Sequence, residues 1–278
     1  MIPATFTYQR AGSVDEALDL ITEYGDEAKF LAGGHSLVPL MKLRLAVPEV
    51  LVDIGRLGEL RYIRDDGSHI AVGALTSYHE LAQSSLLAAE LPLLAHAAGR
   101  VGDPQVRHRG TIGGSLAHAD PAADLPAVLL ALDAVLVTRG PSGSRSIPAG
   151  EFFRGLFESV LEPDELLTEI RIPRPPQAGW SFQKFTKRAI DWAIVGVAVQ
   201  GGRVALVNMG QQPLRAGTVE QALAAGAPLA EAATHAAEGT SPPTDLNGDP
   251  AYRAHLARVL TARALTEATA RGAQGSAR

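Results

Sequence analysis

Ala17, Ile21 and Tyr24 fall on one helical face, preceded by Ser13 and Glu16 at capping-box spacing and followed by Gly25 as a stop, which predicts a first helix. Lys29 to Ala32 reads as a strand broken by Gly33 and Gly34. Leu37 to Leu45 reads as a short helix that tolerates Pro39 because it falls in the first turn. Val50 to Ile54 is a further strand, and Tyr62 to Arg64 with Ile70 to Val72 flank Asp66-Gly67, a strong hairpin signal. Ser77 and Glu80 repeat the capping-box spacing, and a helix around Leu93 to Arg100 leads into an expected loop, Gly102 to Gly110. Thr111-Ile112-Gly113-Gly114 predicts a second glycine turn, followed by a helix from about Leu125 to Leu132. Ala134 to Thr138, with its turn at Gly140 to Gly143, and Leu167 to Ile172 read as strands.

The pattern changes at the cluster Pro173, Pro175, Pro176 and Gly179, a composition typical of a domain boundary. Beyond it, Ala193 to Val199 and Arg203 to Val207 flank Gly201-Gly202 as a hairpin. The remainder reads as helices at Val219 to Ala225, Leu229 to Ala237 and about Pro250 to Ala270, with Gly272 to Arg278 expected to fray.

Composition narrows the function classes. Hydrophobic residues at 46% and charged residues at 20% match an ordinary folded protein, and 278 residues suffice for two or more structural units. No apolar stretch is long enough to span a bilayer and no signal-peptide pattern opens the chain, so a cytoplasmic location is expected. A formal net charge of −5 with scattered Lys and Arg suggests no nucleic-acid surface. The absence of cysteine excludes disulfides, thiolate zinc sites, cysteine nucleophiles and cysteine-held iron–sulfur clusters in this chain, so any redox chemistry requires a non-thiol cofactor.

The chemistry-bearing words are Ala32-Gly33-Gly34-His35-Ser36 and Thr111-Ile112-Gly113-Gly114-Ser115. Backbone N–H groups around a glycine pair can converge on a phosphate, because glycine reaches positive φ and carries no Cβ; Ser36, Thr111 and His35 can add donors. Each pair alone reads more readily as a plain turn, and neither matches the Rossmann or P-loop fingerprint. Taken singly, Asp124 is equally a helix cap, while Lys184 reads rather as a snorkelling surface lysine and Trp192 rather as a core residue. His79-Glu80 lacks the second histidine of a zinc-protease motif, no metal spacing is present, and no G-x-S-x-G elbow occurs.

Together, Ala32 to Ser36 and the run from Arg107 to Asp124 resemble the paired signature of the FAD-binding subunit of molybdenum hydroxylases, the xanthine dehydrogenase and aerobic carbon monoxide dehydrogenase superfamily. The resemblance extends through Asp164 to Pro173, Lys184 to Val199 and Asp245 to Ala264. Asn208-Met209-Gly210 and Asp245-Leu246-Asn247-Gly248-Asp249 most resemble the carbon monoxide dehydrogenase branch. It implies an α+β fold: a two-subdomain FAD-binding unit of the vanillyl-alcohol-oxidase/PCMH type over residues 1–174, with subdomains about 1–55 and 56–174. A smaller carbon monoxide dehydrogenase flavoprotein-type domain with an antiparallel sheet and helices follows over 177–278.

Carried onto matching positions, the resemblance implies that Ala32, Gly33, Gly34, His35, Ser36, Thr111, Ile112, Gly113, Gly114 and Ser115 hold the pyrophosphate and nearby ribityl oxygens of a noncovalent FAD. Asp124 is expected to accept hydrogen bonds from FAD, Val101 and Leu167 to make apolar contacts, Lys184 to lie near the flavin and Trp192 to pack on the isoalloxazine. Ser115 stands where many relatives have Asn, and Trp192 where the best-known have Tyr. No residue of this chain is expected to act as acid or base. The implied role is electron transfer from [2Fe–2S] clusters on a small iron–sulfur subunit, through FAD, to a quinone or other acceptor. Substrate would be oxidised at a molybdenum–copper site on a large subunit, in a dimer of heterotrimers that can associate with the inner membrane face. The alternatives are the same subunit of a hydroxylase acting on a purine, aromatic heterocycle or aldehyde, and a self-sufficient flavin oxidase.

Overall fold

The computed structural model describes residues 2–175 and 179–275; Pro176 of the expected boundary and residues 276–278 lie outside them. The chain combines helices with three larger sheets, an α+β architecture. The first sheet is parallel, with Val50–Asp53 between Thr7–Arg10 and Ala28–Leu31. Parallel neighbours need crossovers, and the helix Val14–Tyr24 makes one, burying Val14, Ala17, Leu18 and Ile21 in a core shared with Val50 and Val52. Its start follows the predicted cap: Ser13 Oγ accepts from Glu16 N at 3.1 Å, while Glu16 Oε2 accepts from Gly12 N at 2.7 Å. After Leu31 the chain leaves the carboxyl end of this sheet through the first glycine stretch into the helix Leu37–Lys42.

The second sheet is antiparallel, in the order Ile63–Asp65, His69–Gly73, Leu166–Pro173, Val135–Gly140, Gly143–Pro148. The Asp66-Gly67 turn closes its first hairpin with Gly67 at φ 78°. Ile70, Val72, Leu136 and Ile170 share one core with Leu81, Leu94, Leu125 and Leu129 from the helices Tyr78–Gln83, Pro92–Gly99 and Asp124–Ala131.

The third sheet, also antiparallel, orders Trp180–Phe185, Val195–Gln200, Arg203–Val207 and Leu214–Arg215. Its two central strands, Val195–Gln200 and Arg203–Val207, are buried on both faces. Val195, Val197, Val199, Val204 and Leu206 join the core of the long helix Pro250–Gly275, whereas the alternate residues Ala198, Ala205 and Val207 join the core containing the helix Asp124–Ala131. Period-two alternation thus docks the carboxyl-terminal sheet onto the helix Asp124–Ala131. It also puts Lys184 on the same strand face as buried Phe182.

Several expectations are corrected. Pro104–Arg109 is a helix, not a loop, capped by Asp103 with Pro104 in its first turn. The second glycine pair lies inside the first turn of a helix, Ile112–His118, and Leu37 to Leu45 is helical only to Lys42. Residues expected to fray from Gly272 remain helical to Gly275. Strands Thr7–Arg10, Gly143–Pro148 and Trp180–Phe185 carry no strong periodic signal; Gly143–Pro148 is exposed apart from Ile147. Among the described residues, no helix is long and apolar enough to cross a membrane.

Candidate functional site

In the first stretch, Gly34 sits at φ 77°, a left-handed backbone that glycine adopts without a Cβ penalty. Gly33 is glycine for a different reason: a Cβ there would lie 2.1 Å from the carbonyl oxygen of Arg109, so this is where the two stretches touch. The N–H groups of Gly34, His35 and Ser36 donate to no protein group among the described residues, and all three residues line an open cleft of about 450 Å³.

The second stretch is engaged internally. Thr111 caps its helix, with Oγ1 accepting from Gly114 N at 3.2 Å. Ile112 N donates to Thr76 O at 3.0 Å, Gly113 N to Ala74 O at 2.8 Å and Ser115 N to Thr111 O at 3.1 Å. A Cβ on Gly113 would lie 2.6 Å from both the Cβ and the oxygen of Ala74, so this glycine seats the helix on the neighbouring segment. Gly114 looks the other way, toward Ala32 Cβ, which is 4.0 Å from where its own Cβ would be.

A second cleft of about 230 Å³ shares His35, Ser36, Tyr78, Ser115 and His118 with the first and is closed by Asp124, Lys184 and Trp192. Asp124 opens its helix, but Ala123 is the N-cap and no side chain caps it. The carboxylate instead meets Lys184 Nζ at 2.6 Å, with the two side chains only 4% and 3% exposed. Lys184 also donates to Arg100 O at 3.3 Å. Burial pushes the Asp124 carboxyl above the usual aspartate range, against the opposing pull of the Lys184 ammonium. Asp124 Oδ1 is buried with no hydrogen-bond partner among the described residues, a condition that costs about 1–3 kcal/mol until a donor reaches it.

Nearly all the predicted site residues converge here. Ala32, Gly33, Gly34, Thr111, Gly113, Gly114 and Leu167 line the larger cleft; Val101, Asp124, Lys184 and Trp192 line the smaller; His35, Ser36 and Ser115 line both. Ile112 is the departure, fully buried in the core and lining neither cleft. Sequence reasoning missed Tyr78 and His118, at the junction of the clefts. Burial raises the Tyr78 hydroxyl to about 12, against a hydrogen bond with Ser115, and burial lowers the His118 imidazole. The legible signal for Tyr78 was its position one residue after the Ser77 cap, where an aromatic ring must pack; a Cβ on Gly110 would lie 2.5 Å from that ring. The donors of the first stretch, the open space beside Gly114 and the orphaned Asp124 Oδ1 form a set that fits a long anionic cofactor carrying hydrogen-bond donors at its other end.

Residues 4–175 match the family described as the FAD binding domain in molybdopterin dehydrogenase. The chain belongs to this family. Residues 180–268 match a second family, the carbon monoxide dehydrogenase flavoprotein C-terminal domain. The carbon monoxide dehydrogenase medium chain of Hydrogenophaga pseudoflava is 44% identical over 98% of this chain and 99% of its own length. A solved structure of the carbon monoxide dehydrogenase from that organism superposes with a TM-score of 0.94, at 44% identity and covering 98% of this chain and 99% of the other. Subunit alpha of the 6-hydroxypseudooxynicotine dehydrogenase complex from Paenarthrobacter nicotinovorans is 40% identical, with 96% of each chain covered.

Proposed function

We propose that this chain is the FAD-binding medium subunit of an aerobic molybdenum–copper carbon monoxide dehydrogenase. In that role it passes electrons from [2Fe–2S] clusters of a small partner subunit to a quinone, within a dimer of heterotrimers that associates peripherally with the inner membrane face. The observation that carries the site is the convergence of both glycine stretches on two adjoining clefts that share His35, Ser36 and Ser115, the smaller of them lined by the Asp124–Lys184 pair. Full-length similarity to a medium chain supports the wider assignment.

Within this assignment the unengaged N–H groups of Gly34, His35 and Ser36 hold the pyrophosphate of a noncovalent FAD, Gly114 leaves open the space toward Ala32 along its path, and Gly33 permits the close approach to Arg109 that sets the loop. Thr111 Oγ1 accepts from Gly114 N and so keeps its own proton for a ligand oxygen. Asp124 Oδ1 accepts from a donor of the cofactor, while Lys184 holds the carboxylate in place. Val101 and Leu167 supply apolar walls, and exposed Trp192 offers a ring face for the isoalloxazine. FAD bound there supplies the redox centre of the subunit; the protein contributes position, electrostatics and exclusion of water. We divide the chain at 1–174 and 177–278, with the cleft's last wall coming from the second part.

The 40% identity to a subunit of a nicotine-derivative dehydrogenase favours, as the second reading, the same subunit in a hydroxylase of an aromatic or aldehyde substrate. Identification of the co-purifying large chain separates the two. A chain carrying the carbon monoxide enzyme's active-site loop is expected, and a large chain without it contradicts the carbon monoxide assignment. Bleaching of the isolated flavoprotein by an organic substrate would instead reveal a self-sufficient oxidase.

A further inference from the structure

Trp192 is 60% exposed, so packing of its own side chain does little to fix it. What fixes it is the backbone immediately after it. Ala193 O accepts from Asn208 Nδ2 at 2.8 Å, Ile194 N donates to Phe185 O at 2.8 Å, and Ile194 O accepts from Nη1 of Arg253, a fully buried arginine that also pairs with Asp245 at 2.7 Å. Asn208 and Asp245 belong to the two words that stood apart in the sequence, Asn208-Met209-Gly210 and Asp245 to Asp249, for which the cofactor contacts give no use.

Asn208 does more than hold Ala193. It follows the strand Arg203–Val207 in a left-handed conformation, φ 60°, and this turn directs its N–H to Pro121 O at 2.8 Å. Pro121 lies three positions before Asp124, and Asp124 and Trp192 both line the smaller cleft. One buried residue therefore ties the segment that leads into Asp124 to the segment that carries Trp192. The residue type suits both tasks: asparagine tolerates left-handed backbone better than most side chains, and its amide supplies a donor that aspartate lacks.

We infer that Asn208 is a positioning residue for the flavin, setting the separation of Trp192 from Asp124 across the cleft, with Arg253 holding the next peptide. This rests on the assignment of the cleft to FAD. Asn208→Gly is the informative variant, because glycine keeps the left-handed turn and the N–H to Pro121 and deletes only the amide bond to Ala193. Asn208→Asp, nearly isosteric, is the second variant and turns the donor toward Ala193 into an acceptor.

The experiment uses the assembled complex with its FAD and compares unaltered protein, Trp192→Ala, Asn208→Gly, Asn208→Asp and the Trp192→Ala/Asn208→Gly double variant. The readouts are visible circular dichroism of the bound flavin, FAD dissociation and thermal midpoint. Asn208→Gly should alter the flavin dichroism in the same sense as Trp192→Ala and weaken FAD about fivefold, as expected for one lost hydrogen bond. Asn208→Asp should do likewise, and the double variant should match Trp192→Ala, because Asn208 acts through Trp192. Unchanged dichroism and FAD affinity with a lowered midpoint, or additive effects in the double variant, overturn the inference while leaving the FAD site standing. Unaltered protein that holds no FAD overturns both.

Discussion

The two glycine stretches look interchangeable as words, yet they behave differently as structures. In Ala32 to Ser36, the N–H groups of Gly34, His35 and Ser36 are unengaged among the described residues and the backbone enters left-handed space at Gly34. In Thr111 to Ser115, the N–H groups of Ile112, Gly113, Gly114 and Ser115 all have protein acceptors. The first stretch is a donor loop, whereas the second is the rigid seat that fixes its position, since Gly33 abuts the carbonyl of Arg109. A shared glycine pair thus reports close approach in both places, with the ligand-facing donors concentrated in one of them.

The difference can be tested from its strongest consequence downward. Gly113→Ala places a methyl 2.6 Å from Ala74 Cβ and oxygen, and overpacking of this kind costs about 1–3 kcal/mol. A clear drop in denaturation midpoint is expected, and a midpoint equal to the parent's would show that the seat yields easily. Glu165, on the floor of the larger cleft, comes next. Burial raises its carboxyl, but hydrogen bonds from Arg145, Thr138 and the Glu162 N–H outweigh this and hold it below the usual glutamate range. A carboxyl lowered by folding stabilises the protein above its unfolded value and ceases to do so as pH falls through the folded value. Glu165→Gln should therefore cost about 1–2 kcal/mol at neutral pH, discounted for the half-exposed Arg145, and the deficit should shrink as acid unfolding curves pass below the usual glutamate range and vanish once the folded carboxyl is protonated. A deficit independent of pH would remove the carboxylate from the account. Ser36→Ala should have the smallest effect on the fold, because Ser36 makes no side-chain capping bond, and should weaken FAD about fivefold at constant midpoint in an FAD titration.

Legibility followed local chemistry. The cap at Ser13, the capping box at Ser77, the Asp66-Gly67 turn and the Gly201-Gly202 turn each encode their geometry within a few residues, and the corresponding elements stand where expected. Gly143–Pro148 escaped because an exposed edge strand needs no apolar alternation, and Pro104–Arg109 because a six-residue helix with no buried residue carries no apolar period. At the site, residue types were legible and their partners were not. Asp124 and Lys184 are 60 positions apart, and only the docking of the third sheet brings them to 2.6 Å. Ile112 shares a word with the cleft residues but points into the core, since consecutive residues of a helix face different ways.

The central claim is that FAD lies between the two stretches, and Gly114 is the position that tests it most directly. A side chain there enters the space toward Ala32, meeting Thr111 Oγ1 2.8 Å from its Cβ. FAD content per chain should be measured for Gly114→Val in the assembled complex, alongside its thermal midpoint. Folded protein that has lost most of its FAD is expected, whereas folded protein retaining the parent's full FAD content would rule out FAD between the two stretches.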